Sequence, residues 1–591
     1  MALIVQKYGG TSVGSAERIQ AVAKRVVETV KAGNDLVVVV SAMGKTTDGL
    51  VKLAKELSSQ PSRREMDMLL ATGEQVTIAL LSIAIQELGQ PAISLTGAQV
   101  GIVTEAEHSR ARILEIAPDR IERHLKEGKV VVVAGFQGVS ATGDRDITTL
   151  GRGGSDTSAV ALAAALKASA CEIYTDVPGI LTTDPRIVPE AQLLTEITAD
   201  EMLELASLGA KVLHPRAVEI ARNYGVPLVV RSSWTDDPGT WVISPAPQPR
   251  SLNGLEIARP VDAVEFATNQ AKIAILQVPD RAGIAGQLFG TVATENVDVD
   301  LIVQSIHEGN TNDIAFTVNK QMTKRAQAVA EAISPVLHDN STLSDTQVLV
   351  ADDIAKVSIV GAGMIGRPGV AAQMFKTLAD AGVNIQMIST SEIKVSCVIP
   401  ASDGDRAIAA LCQQFEISSS STTESDTARI TAPAVRGVAL DLDRARLAIR
   451  QVPDRPGMAA ELFGILAVQN ISVDTIIQSQ RTRIVAGVAM RDIACTIAQG
   501  DAADAKRVLE ASAAQLGCGE VVVDDSVAKV SIVGAGMIDK PGVAAQMFNA
   551  LAAAGINIQM IATSEIKISC VVARAQGIDA LKTVHRAFGL G

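Results

Sequence analysis

Three short stretches in the first part of the chain combine glycines with charged and hydroxyl side chains. "KYGGTS" (7–12) ends an apolar strand-like run in a lysine, two glycines and two hydroxyl residues. Such a turn can set backbone N–H groups and an ammonium around phosphate oxygens. It lacks the G-x-x-x-x-G-K-[ST] spacing, so it is not a P-loop. "GRGGSDTSAVALAAALKAS" (151–169) is a glycine turn opening an alanine-rich helix. Gly153 and Gly154 permit close approach of a ligand, and Arg152 can grip a carboxylate by a two-pronged contact. Ser155 and Asp156 fit that chemistry, and they also fit plain helix capping. In "EMDMLLATGEQVTIALL" the carboxylate of Glu74 lies between helix-like stretches, where it can bind a substrate amine. A fourth stretch, "KVSIVGAGMIG" (356–366), carries the G-x-G-x-x-G spacing of a dinucleotide site.

The fourth stretch loses that meaning once repeats are sought. "KVSIVGAGMIGRPGVAAQMFKTLADAGVNIQMISTSEIKVSCVI" (356–399) returns at 529–572 with 35 of 44 positions identical, and Asp539 replaces the third glycine. Pro368 and Pro541 follow at matching places, which predicts a helix starting after the proline. The next strand, "VNIQMI", has no acidic residue for a ribose. A different unit alternates with this one: "KIAILQVPDRAGIAGQLFGTVATENVDVDLIVQS" (272–305) matches "RLAIRQVPDRPGMAAELFGILAVQNISVDTIIQS" (446–479). The order is A, B, A′, B′, each unit reading β-α-β-β-α-β, a ferredoxin-like plan. The segments 261–270 and 435–444 precede the A units and are placed to lend an edge strand to a neighbouring B unit.

The elements ahead of the repeats alternate strand and helix, as in "ALIVQKYGG", "AERIQAVAKRVVETVKAG" and "DLVVVVSAM". That predicts an α/β/α sandwich around a mostly parallel sheet. At 591 residues several domains are required, and 2 % aromatic residues means cores of Ala, Val, Ile and Leu. A net charge of −12 argues against a nucleic-acid surface. The start "MALIVQKYGG" lacks the features of a secretory leader, and the apolar runs quoted are strand-length, so no membrane association and a cytoplasmic site are expected. Six scattered cysteines without a C-x-x-C pair read as reduced thiols, and no metal cage follows from the histidine spacing. "SPAPQPRSLNG" (244–254) and "ISSSSTTESDTARITAPA" (417–434) read as joints, giving domains at 1–245, 254–417 and 430–591.

From about residue 250 onward the chain resembles the ACT-domain family, through its "PD-R-[AP]-G" and "GAGM-PGV" turns. That resemblance implies modules that pair and hold amino acids between them, here as two tandem pairs. Expected effector positions are Asp280, Ala282, Gly283, Ile284, Asp298 and Gln304 facing Met364, Ile365, Asn384 and Ile385. In the second pair they are Asp454, Gly457, Met458, Asp474 and Gln478 facing Met537, Ile538, Asn557 and Ile558. The bland alternative is ordinary packing between modules.

The first domain resembles the aspartate kinase family through "KYGGTSV", "VVVVSAMG", "TGE", "GFQG", "GRGGSD", "IYTDVPGI", "TDPR" and "GAKVLHP", in that order. The resemblance implies ATP and Mg²⁺ as cofactors and L-aspartate as phosphoryl acceptor. Lys7 and Asp156 would be catalytic. Lys7, Tyr8, Gly9, Gly10, Tyr174, Thr175, Asp176, Ile180, Asp184, Pro185, Arg186 and Lys211 would hold ATP. Ser41, Thr47, Glu74, Gly151, Arg152, Gly153, Gly154, Ser155 and Asp156 would line the aspartate pocket. Leu181 departs from the family, where an aromatic residue is common. Lysine or threonine at the repeats would inhibit, and a homodimer is the expected assembly. A degenerate kinase acting only as a sensor, or a kinase of glutamate or N-acetylglutamate, are the other readings.

Overall fold

The computed structural model describes residues 2–210, 212–245, 250–257, 259–307, 311–337, 347–364, 367–418, 420–422, 433–538 and 540–591. Lys211 and Ile365 lie outside the described residues. The chain forms two compact units. The first comprises Met1–Leu181, Leu193–Ala206 and Ala210–Ala258; the second comprises Thr182–Gln192, Ser207–Gly209 and Arg259–Gly591. The expected boundary at 245 therefore shifts. Glu256 fastens the following segment back into the first unit, its carboxylate accepting from Ile113 N (2.6 Å) and pairing with Arg216 (2.8 Å).

The first unit is built on an eight-stranded sheet. Its central parallel strands lie in the order Ala170–Thr175, Leu3–Tyr8, Asp35–Val40, Val130–Ala134, Ala92–Leu95. Valine runs such as 37–40 and 130–133 are fully buried, as expected for parallel strands covered on both faces. Helix Gly154–Ala165 is buried along its whole length, so its small residues are what the close packing around it demands. Helix Arg63–Glu87 is 25 residues long and apolar enough to span a membrane by length and composition. Its inner face instead carries Ile78, Leu81 and Ile85 into the sandwich core, and Asp67 and Glu74 are buried along it.

The second unit holds the four repeats, and its strands are shared between modules. The 17-residue strand Ala263–Pro279 begins in module B, where Ala263–Ala267 pair with Lys356–Val360. It ends in module A, where Lys272–Ile275 pair with Val348–Ala351. Gly437–Asp441 likewise pair with Lys529–Val533 of B′. The interleaving expected from 261–270 and 435–444 is thus present.

The pairs are nested, not tandem, which corrects the expected 254–417 and 430–591 grouping. Module A joins B′: strand Val299–His307 pairs with Met560–Ser564, and helices Ile284–Thr294 and Val543–Ala553 share one apolar core. Module B joins A′ around a second core, through helices Val370–Asp380 and Met458–Val468. The physical reason is strand sharing. A and B are joined through one long strand pairing in one sheet, and the opposite edge of A, Val299–His307, is left to pair with B′.

Gly361 and Gly363 of "GAGMIG" serve this fold. A Cβ on Gly361 would lie 2.5 Å from the Pro260 carbonyl, and one on Gly363 would lie 2.5 Å from that of Arg259. Helices start at Val370 and Val543, after each proline as expected.

Where the two pairs meet, charges are buried. Lys529, about 1 % exposed, pairs with Asp474, and Arg444 Nη1 lies 3.8 Å from the same carboxylate. Burial alone would raise the Asp474 pKa, but Lys529 and Arg444 hold it well below the usual carboxylate range. Asp474→Asn is expected to destabilise the second unit by about 3 kcal/mol, because Lys529 is left buried without its counter-charge. Because the folded pKa is depressed, this contribution is full above the unfolded carboxylate pKa and fades as pH falls through the folded value. Urea unfolding of parent and variant at neutral and acidic pH would check both.

Candidate active site and paired regulatory pockets

Parallel strands end at one edge of the first unit, and the turns that follow them converge there. This is where ligands bind in open α/β sheets. Lys7 and Tyr8 point to opposite faces, as successive strand residues must. Lys7 reaches Asp156, with Nζ 2.5 Å from Oδ1 and both side chains 11 % exposed. Asp156 stands in the first turn of helix Gly154–Ala165, so the ammonium, the carboxylate and the helix N-terminus share one small volume.

Ser41, just beyond strand Asp35–Val40, donates to Ser155 Oγ at 2.9 Å. Gly9 N donates to Tyr174 O (3.3 Å), and Gly44 N donates to Gly10 O (2.9 Å), so the first glycine turn is pinned to both neighbouring strand ends. A Cβ on Gly10 would stand 2.8 Å from the Ala42 carbonyl. Gly153 adopts φ 71°, and a Cβ there would strike the His214 ring at 2.4 Å.

Glu74 accepts from Ala42 N at 3.1 Å through Oε1, while Oε2 is buried with no hydrogen-bond partner among the described residues. Desolvation raises the Glu74 pKa to about 7, against smaller lowering contributions from backbone hydrogen bonds. A buried carboxylate with a free oxygen is ready for an ammonium.

The structure therefore gathers Lys7, Gly9, Gly10, Ser41, Glu74, Gly153, Gly154, Ser155 and Asp156. Thr47 is half-buried and Arg152 exposed. Tyr8 and Tyr174 behave otherwise. Their rings stack at 4.7 Å inside the core, their hydroxyls bound to Gln6 and Glu172, so these positions offer only main-chain groups to a ligand. The Ile180 side chain is buried, and its N–H bonds Thr240 Oγ1. Thr175 donates to the exposed Asp176 at 3.3 Å. Asp184, Pro185 and Arg186 lie on Thr182–Gln192, part of the second unit, where Arg186 grips Asp184 through Nε (2.9 Å) and Nη2 (2.6 Å).

Sequence reasoning missed Asp67. Fully buried, it accepts from His108 Nδ1 (2.8 Å), Ser109 N (3.0 Å), Thr149 N (3.1 Å) and Thr149 Oγ1 (2.6 Å). It thereby holds the strand that leads into Gly151. The available signal was its place two turns before Glu74 on one apolar helix face.

In the second unit, two pockets lie between modules. One is lined by Arg281, Gly283–Gly286, Gln304 and Asn312 of A with Phe548 and Ile556–Ile558 of B′. There Asn557 Nδ2 donates to Asp280 at 2.8 Å, and Gln304 Nε2 donates to Ile558 O at 2.9 Å. The other lies between Pro453–Ala460, Gln478 and Arg491 of A′ and Val383–Ile385 of B. The facing partners expected from the sequence are therefore exchanged: Asn557 and Ile558 face Asp280, while Asn384 and Ile385 face Asp454, because the pairs are nested. Met364 and Asp474 line a separate cavity of about 270 Å³ on the far side of the B/A′ pair. Met537 is packed in the A/B′ core, beside Ile538. Ala282 and Asp298 are not among the residues lining these cavities.

This combination defines an amino acid kinase followed by four ferredoxin-like modules. The sequence matches the amino acid kinase family over residues 2–232 and the ACT domain at 272–338, 357–415, 450–512 and 530–588. The chain is 52 % identical over 420 residues to an aspartokinase of a Bacillus strain, spanning 71 % of this chain and 98 % of the relative. It is 50 % identical over 418 residues to an aspartate kinase of Pseudomonas putida, with the same coverage of each. The crystal structure of an aspartate kinase from Synechocystis is 64 % identical, covers 100 % of this chain and 98 % of its own, and superposes with a TM-score of 0.87. The chain belongs to the aspartokinase family, and it is a kinase.

Glu74 gives a direct test of the site electrostatics. Its folded pKa is raised, so ionisation opposes folding between the unfolded value and about 7, and the cost is fully present above that. Glu74→Gln is expected to raise the melting temperature of the substrate-free protein at pH 8 and to change it little at pH 4.5, read by differential scanning calorimetry.

Proposed function

We propose that the first unit transfers the γ-phosphoryl group of ATP to the side-chain carboxylate of L-aspartate. The products are 4-phospho-L-aspartate and ADP, the opening step toward lysine, threonine and methionine. The observation that carries this reading is the Glu74 carboxylate with its free Oε2, set beside the Lys7–Asp156 pair and the two glycine turns. Glu74 receives the substrate α-ammonium, while Ser155, Arg152 and the turn N–H groups orient its carboxylates. One side-chain carboxylate oxygen attacks the γ-phosphorus as the bond to the β-bridging oxygen breaks. No covalent enzyme intermediate is needed, because the nucleophile is already an anion. Catalysis is alignment and charge neutralisation.

Lys7 holds the equatorial phosphoryl oxygens, and Asp156 keeps the ammonium in place before nucleotide arrives. Among the described residues no group of three His, Cys, Asp or Glu can cage a metal. Asp156, a hard oxygen donor, is the side chain that would hold Mg²⁺, which would supply charge neutralisation at the phosphates.

The ACT pairs are the regulatory part of this proposal: lysine, threonine or both bind in the inter-module pockets and inhibit. The chain acts in the cytoplasm, without nucleic acid or membrane, as a homodimer. Exposed Val76, Leu80 and Ile83 on one helix supply apolar surface for association beyond the ACT modules.

Lys7→Ala is expected to lower kcat about 10²–10³-fold with KM for aspartate within a few-fold, measured by ADP release. A kcat close to the parent value would remove Lys7 from the mechanism. Asp280→Ala is expected to raise the effector concentration for half-inhibition more than tenfold, read from inhibition curves with each amino acid.

A further inference from the structure

The turn that carries Arg152, Ser155 and Asp156 is held at its root by two buried charges of opposite sign. The root consists of two backbone stretches, Thr149–Leu150 and Ser109–Ala111, joined where Ala111 N donates to Thr149 O at 3.0 Å. Asp67, fully buried on helix Arg63–Glu87, gathers the donors: Ser109 N (3.0 Å), Thr149 N (3.1 Å), Thr149 Oγ1 (2.6 Å) and the ring of His108 (2.8 Å). Arg216, on helix Pro215–Tyr224, gathers the carbonyls. It donates to Leu150 O (2.5 Å) and Ala111 O (2.9 Å), and Glu256 pairs with it at 2.8 Å. Charge-assisted bonds of this kind are short and directional, so the root has one position.

The grip holds strained backbone. Ser109 sits at φ 71°, a left-handed conformation that is costly for a residue with a Cβ. Its N–H donates to Asp67, and its carbonyl lies 2.9 Å from where a Cβ on Gly151 would stand. Gly151, the first residue of the turn, therefore rests against Ser109, and relaxation of Ser109 moves it.

The opposite end of the site is tied to the same helix. Asp67 and Glu74 both lie on its buried face, seven residues or about 10 Å apart along the axis. Glu74 accepts from Ala42 N (3.1 Å), and the adjacent Ser41 donates to Ser155 Oγ (2.9 Å). These contacts close a ring. It runs from Glu74 down the helix to Asp67, through Thr149 into the turn, and back by Ser155, Ser41 and Ala42.

We propose that Asp67 and Arg216 are positioning residues that set the length of amino dicarboxylate the site accepts. Neither needs to touch substrate; each acts through the backbone that leads to Arg152 and Ser155. The acceptor spans the ring, its ammonium at Glu74 and its carboxylates at the turn. A ring of fixed width rejects an acceptor one methylene longer, whose reacting oxygen is displaced from the in-line path. Loosening the root costs aspartate its alignment and relieves that rejection. This rests on the reading of Glu74 and the 151–156 turn as the aspartate site.

The test is steady-state ADP release by the full-length chain, with L-aspartate or L-glutamate as acceptor, for the parent, Asp67→Asn, Thr149→Val and Thr149→Ser. Thr149→Val removes one donor and leaves Asp67 its main-chain contacts, so it serves where Asp67→Asn costs the fold, which thermal melts report. In folded variants Asp67→Asn and Thr149→Val are expected to raise KM for aspartate about tenfold, with KM for ATP within twofold. Glutamate turnover should rise relative to aspartate at least fivefold, a gain that misfolding cannot produce. Thr149→Ser, which keeps the hydroxyl, should stay within twofold of the parent. A KM for aspartate that stays within twofold in folded Thr149→Val, or that moves in step with KM for ATP, would overturn the positioning role. A parent without aspartate-dependent ADP release would instead remove the reading of the site on which it rests.

Discussion

The arrangement of the second unit depends on one constraint, that its longest strands belong to two modules each. Residues 263–267 close the sheet of B, and residues 272–275 of the same strand build the sheet of A. Two modules stitched together in this way cannot fold their helical faces onto each other. Each turns to the matching copy, and two shared cores result, A with B′ and B with A′. The ion pairs Asp300–Lys356 (2.5 Å) and Asp474–Lys529 then lie between members of different pairs. Buried pairs of this kind add little net stability but penalise any arrangement that separates them.

The first unit obeys a different economy. Its catalytic groups sit where parallel strands end, and the backbone there is already committed: Gly9 to Tyr174, Gly10 to Gly44. What remains for a substrate is a few charges. Lys7 and Asp156 form an ion pair at 2.5 Å, whereas Glu74 has a raised pKa and an oxygen with no hydrogen-bond partner among the described residues. A site holding one neutralised pair and one unsatisfied carboxylate is preorganised for a ligand that brings both an ammonium and negative oxygens.

The sequence made local chemistry legible and long-range pairing illegible. The glycine turns, the helix starts after Pro368 and Pro541, and the lent edge strands all follow from patterns within about a dozen residues. That A would face B′ could not follow, because 35 of 44 identical positions make B and B′ equally good partners by composition. Strand register made the choice. Tyr8 and Tyr174 were misleading for a related reason: motif position brings them to the site, while strand alternation turns their rings into the core. Asp67 went unread because its partners, His108, Ser109 and Thr149, are about 40 and 80 residues away.

Duplication followed by divergence of a few residues gives the second unit its asymmetry. Where Arg450 pairs with Asp492 inside A′ (3.1 Å), module A has Leu276, and its Asp313 loses that partner. Arg481 of A′ fills the gap, at 2.8 Å from a carboxylate that is fully buried. Asp313 follows Asn312 of one pocket, and Arg481 stands three residues after Gln478 of the other. The contact joins module A to module A′, close in sequence to residues that line the two pockets. A pair formed only because two copies ceased to be identical holds module A and module A′ in one fixed relation. Four identical modules would not have provided this link.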